Sequence, residues 1–254
     1  MKKGTALGFF VAFSILGGQA IAAGDAEPPK SRHWSFDGIF GHYERDSLQR
    51  GLQVYKEVCA ACHGLRLVAF RNLMDLGYAE AEVKAFAAQY EVQNQDPNED
   101  GEMFMRPATP ADRFVSPFPN EQAARAANGG AYPLDLSLIV KARAGGASYL
   151  YSLLSGYADP PADLQKPDTL YYNPYFPGHL IAMPPPLSEG VVTYADGTAA
   201  TVDQMAYDVT NFLTWAASPK LEKQKSMGLK VILFLIVMTG ILIAVKKKIW
   251  AAVH

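Results

Sequence analysis

The chain has 254 residues, with 23 Lys+Arg against 25 Asp+Glu, 49% hydrophobic residues and two cysteines. This composition excludes a disordered, collagenous or disulfide-scaffold protein, and it offers nucleic acid no strongly basic surface. The net charge of −2 averages over unlike parts, because both ends are apolar and lysine-bearing while the middle is acidic.

Lys2 and Lys3 precede a short, glycine-spaced apolar run over residues 6–18, and Ala20-Ile21-Ala22 places small residues at −3 and −1 of a cleavage site. This pattern predicts a secretory signal over residues 1–22, since the run is too short to span a bilayer comfortably. The mature chain then starts near Ala23.

Leu48, Leu52, Tyr55 and Cys59 recur at i, i+4, i+7 and i+11, which predicts an amphipathic helix over residues 44–58. Gly51 inside it costs about 1 kcal/mol relative to alanine, a cost that makes sense if another helix crosses there. The helix runs into Cys59-Ala60-Ala61-Cys62-His63. Two thiols one helical turn apart can add to the two vinyl groups on one edge of a haem while the next side chain reaches the iron, and C-x-x-C-H is the attachment signature of c-type haem. A structural zinc site would need further ligands of this kind, and a thioredoxin-like pair would need a βαβ context. Export agrees with haem attachment. With both thiols consumed, no disulfide is left to stiffen the domain.

Shorter helices are predicted over residues 79–90, 121–127, 134–143 and 148–155, the last stopped by Gly156. Residues 94–119 and 158–186 are rich in proline, acid and aromatic residues and too long for simple connectors, so they are expected to wrap the cofactor or meet partners. Residues 191–202, with Asp196-Gly197 in the middle, read as a hairpin.

The second axial ligand decides the chemistry. A histidine–methionine pair closes both axial positions and suits electron transfer, whereas an open position suits chemistry on a small molecule. Met183 lies before three consecutive prolines, which forbid a helix and make a stiff loop able to hold a thioether against iron. It is the first candidate, followed by Met103 and Met105. Met74, His33 and His42 are further candidates, Met205 reads as core, and His179 as a loop or interface residue. The competing functions are a membrane-anchored c-type haem enzyme or sensor, peroxidase-like, with an open axial site, and an assembly protein that uses the metal only to fold.

Met205, Val209, Phe212, Leu213 and Ala216 share one face of a helix predicted over residues 203–217. Thr201 and Gln204 form a capping box at its start, Pro219 limits its end, and it is the candidate to cross residues 44–58. Met227 to Val245 is 19 residues long, roughly 28 Å of helix, enough to cross a bilayer, with Lys230 able to snorkel and Lys246, Lys247, Lys248 and Trp250 at the far edge. The signal sets the orientation: residues 23–220 form an exported haem domain, and residues 221–254 hold an anchor, with its span at about 227–245, and a short inside tail. Residues 23–219 carry 14 Lys+Arg against 24 Asp+Glu, about −10, a field that speeds encounter with a basic partner. Glu91, Asp96, Glu99, Asp100 and Glu102 form the densest acidic stretch.

The chain reads as mostly α, with long loops and one C-terminal transmembrane helix, and its arrangement of terminal helices crossing beside a C-x-x-C-H motif resembles a class I cytochrome c-like haem domain. From about His33 to its end the chain resembles the cytochrome c1 family, the membrane-anchored haem subunits of cytochrome bc1 complexes. The resemblance is carried by Val58-Cys59-Ala60-Ala61-Cys62-His63, Ala126-Ala127-Asn128-Gly129-Gly130, Arg143-Ala144-Gly145-Gly146 with Tyr149, Ile181-Ala182-Met183 with Pro185 and Pro186, and Trp215-Ala216-Ala217 through Met227-Gly228-Leu229-Lys230. It implies one covalent haem c held by Cys59 and Cys62, with His63 as proximal and Met183 as distal iron ligand. It further implies Arg143 as partner of a haem propionate, Asn128 and Tyr149 as pocket residues, and no catalytic side chain. The implied partners are cytochrome b and the Rieske iron–sulfur subunit, with a soluble basic cytochrome c as acceptor. The implied place is the bacterial inner membrane, haem domain on the periplasmic side and C-terminus in the cytoplasm. Some bacterial relatives carry an extra cysteine pair that this chain lacks, so no disulfide stiffens its Met183 loop.

Overall fold

A computed structural model describes residues 26–94 and 96–251; the expected signal over 1–22 lies outside them. Helix α1 spans Arg45–Glu57, one residue inside the predicted bounds at each end, and buries the face carrying Ser47, Leu48, Gly51, Leu52, Val54 and Tyr55. Asp46 in its first turn and Lys56 in its last complement the helix dipole. After a 3-10 turn at Cys59–Ala61 comes a 3-10 helix, Phe70–Leu76, for which the sequence carried no periodic signal. Helix α2 (Glu80–Ala87), strands β1 (Glu91–Gln93) and β2 (Met105–Pro107), helix α3 (Glu121–Ala127), helix α4 (Gly146–Leu154), strands β3 (Tyr171–Tyr172) and β4 (Leu180–Ile181), and helices α5 (Val202–Ala217) and α6 (Leu221–Trp250) follow.

The centre of the domain is the crossing of α1 and α5. A Cβ on Gly51 would lie 2.1 Å from the Asp208 carbonyl oxygen and 2.7 Å from the Phe212 Cβ, so glycine is what allows the two backbones to touch. Helix α5 is buried on nearly every side, with Met205, Val209 and Phe212 fully enclosed. A polar seam runs through the crossing. Asp208, without solvent exposure, accepts hydrogen bonds from Arg50 Nε at 2.8 Å, Arg50 Nη2 at 3.1 Å and Ser47 Oγ at 2.7 Å. A buried carboxylate needs such pairing to stay ionised without a large penalty.

Three sequence expectations change. Thr201 caps α5 by accepting from the Gln204 N–H at 3.1 Å, but the Gln204 amide donates to Asp208 at 3.0 Å instead of returning to Thr201, so only half of the capping box forms. The helix expected over 134–143 shrinks to a 3-10 turn at Leu136–Leu138 followed by irregular turns. Its backbone is committed elsewhere: Leu136 N–H donates to the Gly64 carbonyl, while Gly145 and Gly146, at positive φ, end any helical run. The hairpin expected over 191–202 has no ladder. That segment is a loop closed at its base by Gly190 N–H to the Ala200 carbonyl and at its tip by Gly197 N–H to the Tyr194 carbonyl, because burial of the Val192 and Tyr194 side chains in the core sets its path. The antiparallel strand pairs lie elsewhere: β3 with β4 inside residues 158–186, and β2 inside residues 94–119 paired with β1, which immediately precedes that segment.

Helix α6 is 30 residues long, about 45 Å, with its apolar side chains exposed along its length. The predicted 227–245 span lies inside it. Its first turns are tied to the rest of the chain: Glu222 accepts from the Tyr43 N–H at 2.7 Å and from Arg45 at 2.8 Å, and Lys225 donates to the Phe36 and Gly41 carbonyls.

Candidate functional site

The cysteine–histidine motif begins where α1 stops. The amides of Cys62 and His63 both donate to the Cys59 carbonyl, at 3.1 and 2.9 Å, so the motif is one tight turn with both sulfurs and the imidazole issuing from it. Burial, with Cys62 beside it, pushes the Cys59 thiol up to about 12.

His63 is oriented by a backbone acceptor. Its Nδ1 lies 2.7 Å from the Leu134 carbonyl oxygen, which can only accept, so Nδ1 carries the proton and Nε2 keeps a free lone pair. Burial lowers the imidazole pKa, favouring the neutral ring that a metal requires. The Leu134 carbonyl is itself held in place. Asp135 accepts from the Arg66 N–H at 2.9 Å, Leu136 N–H donates to Gly64, and Ser137 Oγ accepts from the Leu67 N–H at 3.1 Å, lacing residues 134–138 to residues 64–67. Tyr132, Leu134 and Leu138 nonetheless keep more than two fifths of their surface exposed. An apolar rim beside a free imidazole lone pair and two cysteine sulfurs issuing from one turn fits a flat apolar group attached through those sulfurs, which a haem is.

The second set of residues gathers around α4. Tyr157 donates from its hydroxyl to the Met183 carbonyl at 3.0 Å, fixing the loop that follows β4, and the Met183 side chain is half-buried against the core that also receives Cys59, Ile139 and Val140. Burial raises the Tyr157 phenol, with Tyr149 adjacent to it. Tyr149 in turn lies beside the Arg143 guanidinium, which partly offsets the effect of burial on its phenol. Arg143, Tyr149, Tyr157 and Met183 thus form one continuous file. Arg143 is exposed and donates to the Ala142 carbonyl at 3.0 Å, so its cation remains available to an added anionic group.

Asn128 is placed differently. It ends α3, and its amide donates back to the Ala124 carbonyl at 2.7 Å, with Gly129 and Gly130 at positive φ turning the chain toward Tyr132 and Leu134. The other axial candidates go elsewhere: Met205 is wholly enclosed in the α1–α5 core, Met103 and Met105 are exposed at and next to β2, and Met74 is exposed on the 3-10 helix. His33 and His42 are exposed, and His179, at positive φ, packs its ring against Tyr172 with Nδ1 at the Pro174 carbonyl. Two residues of the site were not read from sequence. Tyr157 is one of several tyrosines in an aromatic-rich stretch, and Leu134 acts through its backbone, which no side-chain pattern reports.

The profile of the Cytochrome C1 family matches residues 34–253. Cytochrome c1 of Rhodospirillum rubrum is 50% identical over 251 residues, covering 92% of each chain. The mitochondrial heme protein cytochrome c1-2 of Solanum tuberosum is 52% identical over 221 residues, 85% of this chain and 84% of that one. A protein named cytochrome b/c1 from Bradyrhizobium diazoefficiens is 50% identical over 253 residues, which are 91% of this chain and 36% of that longer one.

Proposed function

The chain belongs to the cytochrome c1 family, and from that membership we propose how its own residues serve electron transfer. It is the haem subunit of a cytochrome bc1 complex, carries a covalently bound c-type haem and transfers electrons. The haem supplies a one-electron iron couple when bound. In our reading Cys59 and Cys62 would hold it by thioethers, and His63, through Nε2, and Met183, through its sulfur, would be the iron ligands. Arg143 faces a propionate, where a guanidinium fork matches a poorly solvated carboxylate, and Tyr149 lines the pocket with Asn128. Two protein carbonyls do the positioning: that of Leu134 orients the imidazole, and that of Met183, gripped by Tyr157, steadies the thioether loop.

The observation that carries this reading is the 2.7 Å contact between His63 Nδ1 and the Leu134 carbonyl, because it fixes the tautomer that leaves Nε2 for a metal. Histidine–methionine ligation by these residues would leave no position for a substrate, so the open-site enzyme or sensor is the disfavoured alternative, and no side chain is assigned a catalytic role.

The donor in this proposal is the Rieske iron–sulfur subunit, cytochrome b is the membrane neighbour, and the acceptor is a soluble basic cytochrome c. Glu91, Asp96, Glu99, Asp100 and Glu102 are all exposed on the arm between and around β1 and β2, where an acidic field can steer such an acceptor into a weak, wet encounter. Residues 1–22 act as the removed signal and residues 23–220 as the periplasmic domain, and α6 leaves a short cytoplasmic tail. Near-infrared magnetic circular dichroism of the oxidised, detergent-purified protein tests the ligand set. The methionine-to-ferric charge-transfer band should be present in the parent and absent in Met183→Leu, with a lower midpoint potential and the haem still attached. A variant with the band and the potential of the parent would remove Met183 from the iron.

A further inference from the structure

The segment between Trp34 and Tyr43 is built as a closed loop with an apolar tip. The Asp37 carboxylate accepts from the Trp34 N–H at 3.1 Å, Asp37 N–H donates to the Trp34 carbonyl at 3.0 Å, and His42 N–H donates to the Ser35 carbonyl at 3.0 Å, drawing the two limbs together. Gly38, at φ +68°, makes the bend, and Gly41 packs so tightly on the Phe36 and Asp37 backbone that a Cβ there would lie 2.0 Å from the Asp37 carbonyl oxygen. Trp34, Phe36 and Tyr43 turn into the core, with exposures of 3, 8 and 3%. Ile39 and Phe40, at the tip, are 72 and 76% exposed. A rigid turn that presents two large apolar side chains to solvent marks a contact surface.

Its position identifies the contact. The Lys225 ammonium donates to the Phe36 carbonyl and, at 3.3 Å, to the Gly41 carbonyl, so it closes the base of the loop from both sides. Lys225 precedes the apolar stretch of α6, which begins at Met227, by two residues, or about 3 Å along the helix axis. The headgroup layer on each side of a bilayer is roughly 5–7 Å thick, so a lysine at that height lies within it. Four residues separate the two gripped carbonyls, and at no more than ~3.6 Å per residue the tip cannot leave the neighbourhood of that layer. Lys223, about 6 Å before Met227 along the axis, adds positive charge within the same layer, which anionic headgroups attract.

We propose that the Ile39–Phe40 tip inserts into the lipid headgroup–acyl boundary as a second membrane contact of this chain, so that the haem domain is held at two points and cannot swivel about α6. Loop and helix then act as one unit, because Lys225 donates to the Phe36 and Gly41 carbonyls and Glu222 accepts from the Tyr43 N–H. This rests on α6 being a membrane anchor, a reading that alkaline carbonate extraction tests by itself: an anchored chain stays in the pellet.

The test replaces Phe40 by its photoreactive analogue p-benzoylphenylalanine in membranes that contain the assembled complex, with haem retention checked by absorbance. After irradiation, mass spectrometry of the tip peptide should find phospholipid adducts several-fold above those formed by the same analogue at Asn98, an exposed position in the acidic arm. The analogue at Ile39 should give the same result. Cross-linking of position 40 to another polypeptide would assign the tip to a protein interface and overturn the proposal. Lipid adducts no more frequent than at position 98 would place the tip in water and overturn it too. A chain released by carbonate would remove the anchor and the proposal together, and the two failures are told apart by that fraction.

Discussion

Gly51→Ala sets two well-calibrated effects against each other. In an exposed helix the change would stabilise α1 by about 1 kcal/mol, because glycine loses more backbone freedom on folding than alanine. Here the new methyl carbon would lie 2.1 Å from the Asp208 carbonyl oxygen, 2.7 Å from its carbonyl carbon and 2.7 Å from the Phe212 Cβ. Carbon–oxygen contacts settle near 3.3–3.6 Å, so α1 and α5 must move apart by roughly 1 Å, and two of the three offending atoms are backbone that cannot rotate away. Overpacking of this kind costs about 1–3 kcal/mol, and the separation also stretches the Arg50–Asp208 and Ser47–Asp208 bonds, so the loss exceeds the gain in propensity. A net loss near 2 kcal/mol lowers the thermal midpoint by about 4–8 °C for a domain of this size. Far-ultraviolet circular dichroism of the haem-loaded full chain in detergent measures it. Gly228→Ala is the control, since nothing lies within 4 Å of its Cβ position on α6. An unchanged or raised midpoint for Gly51→Ala would show that helix propensity, not the crossing distance, governs this position.

Three other outcomes follow from single contacts or clusters. Tyr157→Phe removes one hydrogen bond to the Met183 carbonyl, worth about 1 kcal/mol, so under the proposed ligation added imidazole should displace the Met183 sulfur at roughly fivefold lower concentration, and an unchanged titration would argue against the grip. The Arg106 guanidinium, with further hydrogen bonds from Thr109, holds the Asp112 carboxyl well below the usual carboxylate range. Because this pKa is lowered by folding, its contribution is present above about pH 4 and is lost as pH falls further, so Arg106→Gln should make the loss of stability between about pH 4 and pH 2 shallower; equal acid profiles by chemical denaturation would contradict it. Neutralising Glu91, Asp96, Glu99, Asp100 and Glu102 to their amides should slow reduction of a basic soluble cytochrome at low ionic strength by about tenfold and flatten its salt dependence in stopped-flow traces, whereas an unaltered salt slope would move the docking surface elsewhere.

Much of the molecule was legible from residue order alone. Leu48, Leu52, Tyr55 and Cys59 announce α1, Met205 to Ala216 announce α5, and Gly51 announces that something crosses it, because side-chain periodicity and glycine are local expressions of which face is buried. Cys59, Cys62 and His63 announce the cofactor because its attachment chemistry demands that spacing. The uncharged run inside α6 announces an element able to cross a bilayer. Tertiary structure decided what depends on partners far along the chain. Residues 134–143 have helical periodicity, yet Gly64 captures the Leu136 amide, and what remains of the segment supplies a carbonyl to His63 instead of a helix. Gln204 sits at the capping-box position, yet buried Asp208 takes its amide, because an enclosed carboxylate competes for donors more strongly than a helix end open to water. The segment around Asp196-Gly197 has hairpin chemistry, yet burial of Val192 and Tyr194 and the pull of Arg50 on Asp196 set its path. Residue order determines local periodicity and attachment chemistry directly, because both act over a few residues; hydrogen bonds to carbonyls and buried charges are won only once the chain has closed, and those contacts set the imidazole tautomer and the grip on the Met183 loop.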